Sequence, residues 1–147
     1  MVIQEGSIAP DFNLSSFSTE EGENKISLTA LKGHIVILAF YPKDDTPGCT
    51  KEMCAFRDDW KAFSDRGIKV YGVSKDSIAS HEKFANKYSF SSLELLSDSD
   101  GEMSKSYGVG EDFPSRTLFV VDKNGKIVKI IEGMPRNDEL LEFVSGL

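Results

Sequence analysis

His34-Ile35-Val36-Ile37-Leu38-Ala39-Phe40-Tyr41-Pro42-Lys43-Asp44-Asp45-Thr46-Pro47-Gly48-Cys49 is the stretch on which the fold turns. Its first half is apolar without a break, the pattern of a strand buried on both faces, and Pro42 stops it. From Cys49 to about Ser64 the apolar residues Met53, Phe56, Trp60 and Phe63 recur at spacings of three and four, while Lys51, Arg57, Asp58 and Lys61 can face water. The stretch therefore predicts a buried strand feeding an amphipathic helix, which Gly67 closes.

Working toward the carboxyl terminus, strand-like and helix-like segments alternate. Residues 68–74 read as a strand, 77–88 as a helix, 93–96 as a short strand and 101–107 as a weak helix. Residues 116–121 and 126–132 read as strands joined through Asp122-Lys123-Asn124-Gly125, and an Asn-Gly pair between apolar runs is a strong hairpin signal. Asn137 is placed as the cap of a final helix through Val144. Toward the amino terminus the chain reads as irregular, with 15–24 as a flexible insertion. This alternation predicts an α/β class, a central mixed sheet with a largely parallel core, flanked by helices and preceded by an amino-terminal extension. The order resembles the thioredoxin-like architecture.

Bulk properties narrow the choice. A chain of 147 residues suits one domain, 1–147. The longest apolar run falls far short of the ~20 residues of a membrane span, and Met1-Val2-Ile3-Gln4-Glu5 lacks the features of an export signal. A soluble, cytoplasmic protein is the expectation. A formal charge of -7, with 24 acidic against 17 basic residues, offers no basic stripe for nucleic acid. The two cysteines need not be a structural staple when the apolar content suffices for a core, which directs attention to thiol chemistry.

The strand-to-helix passage is where α/β domains present ligand sites. Cys49 falls in the first helical turn, where unpaired peptide N–H groups favour an anion. An ordinary thiol of pKa ~8.5 is only about 3% thiolate at pH 7, so a site that favours the anion multiplies the supply of nucleophile. Arg116, opening a strand expected beside the one that ends at Pro42, is the candidate for a cation nearby.

These residues carry a resemblance. Pro42, Thr46 and Cys49 match the PxxxTxxC signature of the peroxiredoxins, and YPKDDTPGCTKEMCAFRD is similar to the bacterioferritin-comigratory, or Q-type, subfamily. The likeness extends through GSIAPDF, LTALKGHIVILAFYP and RTLFVVDKNGKI. It implies a thiol peroxidase without a cofactor, acting on hydrogen peroxide and organic hydroperoxides. Cys49 would be the peroxidatic thiolate, Thr46 and Arg116 would bind the peroxide, Pro42 would shield the sulfur and Glu52 would orient Arg116. The same resemblance implies Cys54 as the resolving thiol, an intramolecular disulfide, reduction by thioredoxin or glutaredoxin, and a monomer or weak homodimer. In an unbroken helix residues five apart have Cα atoms ~8.6 Å apart and point ~140° away from each other, whereas a disulfide tolerates no more than about 7 Å. The pairing thus requires the first turns to unwind.

Without that context each residue has a plainer reading. Cys54 would be a small core residue, Thr46 a cap, Arg116 a salt-bridge partner and Glu52 a source of helix-start charge. His34 and His81 show no metal-ligand spacing, and Ser97-Asp98-Ser99-Asp100-Gly101-Glu102 lacks the late Glu of a calcium loop, so it reads as a turn with Asp100 capping the next helix. A general thiol-disulfide oxidoreductase is disfavoured by four residues between the cysteines in place of two. A non-catalytic redox-interaction or chaperone module is the other rival.

Overall fold

The computed structural model describes residues 3–110 and 112–147. The predicted central strand is β3, Ile35–Phe40, and all six of its residues are buried. Alternation sends them to opposite sides: Ile35, Ile37 and Ala39 join one apolar cluster, Val36, Leu38 and Phe40 another. A continuously apolar strand is what a sheet covered on both faces requires.

Among the described residues seven strands form one mixed sheet, in the order β2 (Gly22–Ser27), β1 (Asn13–Ser18), β5 (Glu94–Ser97), β4 (Ile68–Ser74), β3, β6 (Thr117–Val121) and β7 (Ile127–Glu132). The strands β4 and β5 run parallel to β3. On the other side β6 is antiparallel to β3, with Phe40 opposite Thr117, and β7 is antiparallel to β6. That hairpin turns at Gly125, with φ 84°, and Asp122 accepts the amides of Asn124 and Lys126 at 2.9 Å each.

Three helices, α1 (Pro47–Ser64), α2 (Ile78–Tyr88) and α4 (Asn137–Ser145), cover the first face, contributing Met53, Phe56 and Phe63, then Phe84 and Ala85, then Leu140 and Val144. The short α3 (Glu102–Ser106) covers the second with Met103 and the following Tyr107. Gly72 of β4 sets how closely α1 approaches: a Cβ there would lie 2.7 Å from the Met53 sulfur. A larger residue would push the helix off the sheet.

Two expectations need correction. The stretch 15–24 is no loose insertion but most of a hairpin, β1 (Asn13–Ser18) and β2 (Gly22–Ser27), that extends the sheet beyond β5. Its turn is tied down by Thr19 and Glu20 amides donating to the carbonyls of Phe90 and Ser91 at 3.1 and 3.0 Å. The sequence hides it because β2 is an edge strand, solvated and polar, without apolar alternation. Asn137 is the first residue of α4 and its side chain donates to Asp59 at 3.0 Å, while Arg136 holds the cap position. At α3 the Asp100 carboxylate takes the Glu102 amide at 3.0 Å, and Asp98 takes those of Met103 and Ser104 at 3.0 and 2.7 Å.

Candidate active site

Residues 42–46 carry the chain from the end of β3 to the start of α1. Thr46 is the N-cap by backbone geometry, yet its hydroxyl makes no capping bond and donates instead to the Lys43 carbonyl at 2.9 Å. The first-turn N–H groups therefore have no side chain seated on them, and the lone pairs of the Thr46 oxygen remain able to accept. Pro42 is half-buried at the mouth of this loop.

Cys49 is the third residue of α1 and is 1% exposed. The pairing of Phe40 with Thr117 brings Arg116, just before β6, across to the same end of the sheet. Its Nη2 donates to the Cys49 sulfur at 3.4 Å, and its Nη1 to Glu52 Oε1 at 2.7 Å. Glu52 lies one turn past Cys49 and is 2% exposed. Guanidinium and helix start both favour negative charge on the sulfur. Burial pushes the Glu52 carboxyl up to about 7, against the hydrogen bond and charge of Arg116. Burial also works against the Arg116 cation, but its bonds to Cys49 and Glu52 outweigh that and hold the guanidinium's pKa above its usual value. The fold thus gathers Cys49, Glu52 and Arg116 into one contact set.

Cys54 stands apart. It is half-buried against the apolar cluster of the first face, and both thiols are free. Burial raises its pKa; the charge of Arg57 opposes this and that of Asp58 adds to it.

Sequence reading missed what supports this site. A Cβ on Gly48 would come within 2.9 Å of Arg116 Nη2, so the absence of a side chain there is what lets the guanidinium lie over the helix start. The Pro-Gly pair was the available signal. Asp44 is buried and accepts from the Tyr41 hydroxyl at 2.6 Å, from Ser80 at 2.8 Å and faces His81 Nδ1 at 2.7 Å, while His81 Nε2 faces the Leu96 carbonyl at 2.8 Å. Nε2 facing a carbonyl must carry hydrogen, so one proton is shared between Nδ1 and the carboxyl. Burial first, then the Asp44 charge, raises the Tyr41 phenol far above its usual pKa. Asp45, at φ 56°, takes Lys87 Nζ and the Tyr88 hydroxyl at 2.8 Å each. No local pattern announces these contacts.

The profile of the AhpC/TSA family matches residues 6–130. A protein of Coxiella burnetii named putative peroxiredoxin bcp is 43% identical over 156 residues, spanning all of both chains. The chain belongs to the peroxiredoxins of the AhpC/TSA family. Peroxiredoxin Q of Arabidopsis thaliana, named as chloroplastic, is 41% identical over 152 residues, covering 98% of this chain and 68% of the plant protein. The structure of peroxidoxin BcpB from Mycobacterium tuberculosis superposes with a TM-score of 0.86 at 32% identity, covering 99% and 98% of the two chains. A Cys-to-Ser mutant of PrxQ from Xylella fastidiosa gives 0.88 at 25% identity, again over 99% and 98%. This peroxiredoxin is a thiol peroxidase with a mixed-sheet, thioredoxin-like fold. Among the described residues no helix is long and apolar enough to cross a membrane.

Proposed function

We propose that Cys49 is the peroxidatic nucleophile and that the contact carrying this reading is Arg116 Nη2 on its sulfur at 3.4 Å. The thiolate attacks the distal oxygen of hydrogen peroxide or an organic hydroperoxide. A sulfur–oxygen bond forms, the O–O bond breaks, and the departing alkoxide or hydroxide takes a proton, leaving water or an alcohol and a Cys49 sulfenic acid. Charge develops on both oxygens, and Arg116 with the first-turn N–H groups supplies fixed donors for it. The Thr46 oxygen, its own hydrogen spent on Lys43, accepts from the peroxide O–H. Glu52 holds Arg116 in place, and Pro42 limits water at the sulfur.

Cys54 then displaces water from the sulfenic acid to form the Cys49 to Cys54 disulfide, which requires the first turns of α1 to unwind. A dithiol of the thioredoxin or glutaredoxin type takes the bond by exchange, emerging as its own disulfide and returning both thiols. Such a cycle needs a thiol-reducing compartment, for which we propose the cytoplasm. One domain, 1–147, suffices for it, as a monomer or weak homodimer: among the described residues only four large apolar side chains are well exposed, Ile8, Phe113, Met134 and Leu147.

The test combines intact mass with a coupled assay following NADPH loss through thioredoxin and its reductase. One equivalent of peroxide removes two hydrogens from the wild type and both free thiols disappear. Cys49→Ser consumes no peroxide. Cys54→Ser reduces one equivalent and then stalls; full turnover by that variant would replace the intramolecular step with attack by an outside thiol.

A further inference from the structure

The segment that must unwind is tethered to α2 on both sides. At its entry the buried Asp44 accepts from Ser80 and shares a proton with His81, at 2.8 and 2.7 Å, and its amide donates to Asp76 at 2.9 Å. Asp45, next in the chain, is bound by Lys87 and by the Tyr88 hydroxyl. At its exit Arg57 Nη1 donates to the Tyr88 carbonyl at 2.6 Å. One residue, Tyr88, thus touches the chain just before Thr46 and again just after Phe56. Tyr88 is itself packed on Phe84 and Phe90, with ring centroids 5.6 and 6.1 Å away.

We infer that α2 holds both ends of the rearranging segment, at Asp44-Asp45 and at Arg57, and confines unwinding to residues 46–56. This rests on the reading of Cys54 as the resolving thiol. The two ends differ in kind. The entry is fixed by a buried, fully partnered carboxylate, which is costly to break. The exit is an ionic donor on a carbonyl, helped by Phe63, which is fully buried, and by Trp60 on the remaining helix. Arg57 is a positioning residue here: it holds the fold around the moving part, and what reaches Cys54 is its charge. Confinement keeps residues 42–45 in place through the cycle, so that reduction of the disulfide restores the site by re-forming a few turns.

Helical amides bond four residues back, so the limit appears in hydrogen exchange of the full chain, reduced and as the disulfide. In the disulfide form, amides 50–60 lose protection because their acceptors lie in 46–56. Amides 61–65 keep it, as do Tyr41, bonded to Val73, and Asp44, bonded to Asp76. In Arg57→Ala the loss spreads to 61–65, with protection there about tenfold lower. Arg57→Lys, which retains a donor for the carbonyl, reverses part of that spread, and the rate of sulfenic acid formation stays at the wild-type value in both. Loss of protection at 61–65 or at Tyr41 and Asp44 in the wild-type disulfide form would overturn the inference alone, as would an unmoved limit in Arg57→Ala. Failure to form the disulfide, read as an unchanged thiol count and mass, would remove the resolving role and this inference with it.

Discussion

Cys49 and Cys54 share one helix yet live in different chemistry. Cys49 is met from outside its own element: β6 delivers Arg116 to the sulfur at 3.4 Å, and Glu52 braces that arginine at 2.7 Å. Cys54 leans on the apolar face of the sheet, where burial disfavours its thiolate. Two free thiols form no disulfide without an oxidant, so both stay reduced until a peroxide arrives. On the proposed reading, the contrast teaches that reactivity comes from a contact between distant elements, whereas reserve comes from ordinary packing.

The largest effect should follow from removing that contact. Arg116→Ala is expected to slow sulfenic acid formation by about 10²–10³, the scale of losing a preorganised donor at a developing oxyanion, and to lower the melting transition as well, because Glu52 is left buried without its partner. Stopped-flow mixing with peroxide checks it, using the fluorescence of Trp60. A loss under about threefold would mean that Arg116 does not distinguish the two cysteines. Gly48→Ala sharpens the same point without touching a charged group. Its Cβ would stand 2.9 Å from Nη2, so the guanidinium must shift, and a loss of about tenfold in the same step is expected. Alkylation of Cys54 should be unchanged; if both thiols slow together, the substitution has disturbed the whole helix.

Much of this was readable from residue order, and the reasons are local. β3 and α1 declared themselves because six consecutive apolar residues and a three-four periodicity are properties of the chain itself. The hairpin at Asn124-Gly125 is similarly self-contained. β1 and β2 were not visible, since an edge hairpin of Ser, Asn, Glu and Lys gains its order from β5 and from carbonyls of residues 90 and 91. Within the site, Cys49 and Arg116 could be named as partners from strand adjacency, but Gly48 could not be assigned its purpose without the guanidinium above it. His81 shows no metal-ligand spacing and no other local pattern. Its partners Asp44 and Leu96 lie 37 and 15 positions away, and no spacing rule joins them.

The smallest effect is also the most discriminating, because it separates the charge of Glu52 from its shape. Its carboxyl titrates at about 7 in the fold against 4.5 when free, so the folded chain holds this proton more tightly than the unfolded one. The resulting stability is fully present below about pH 4.5 and is lost as pH rises through about 7. Glu52→Gln keeps an oxygen for Arg116 and cannot ionise. Its stability relative to the wild type should therefore stay level near pH 4.5 and grow by about 1–3 kcal/mol toward pH 8, measured by denaturant unfolding at each pH. In the wild type, ionisation of Glu52 places a second negative charge against Arg116 in competition with Cys49. The first step should consequently change less between pH 6 and 8 in the variant, by a factor of about two to five. Parallel profiles for the two proteins would show that Glu52 serves Arg116 by position alone.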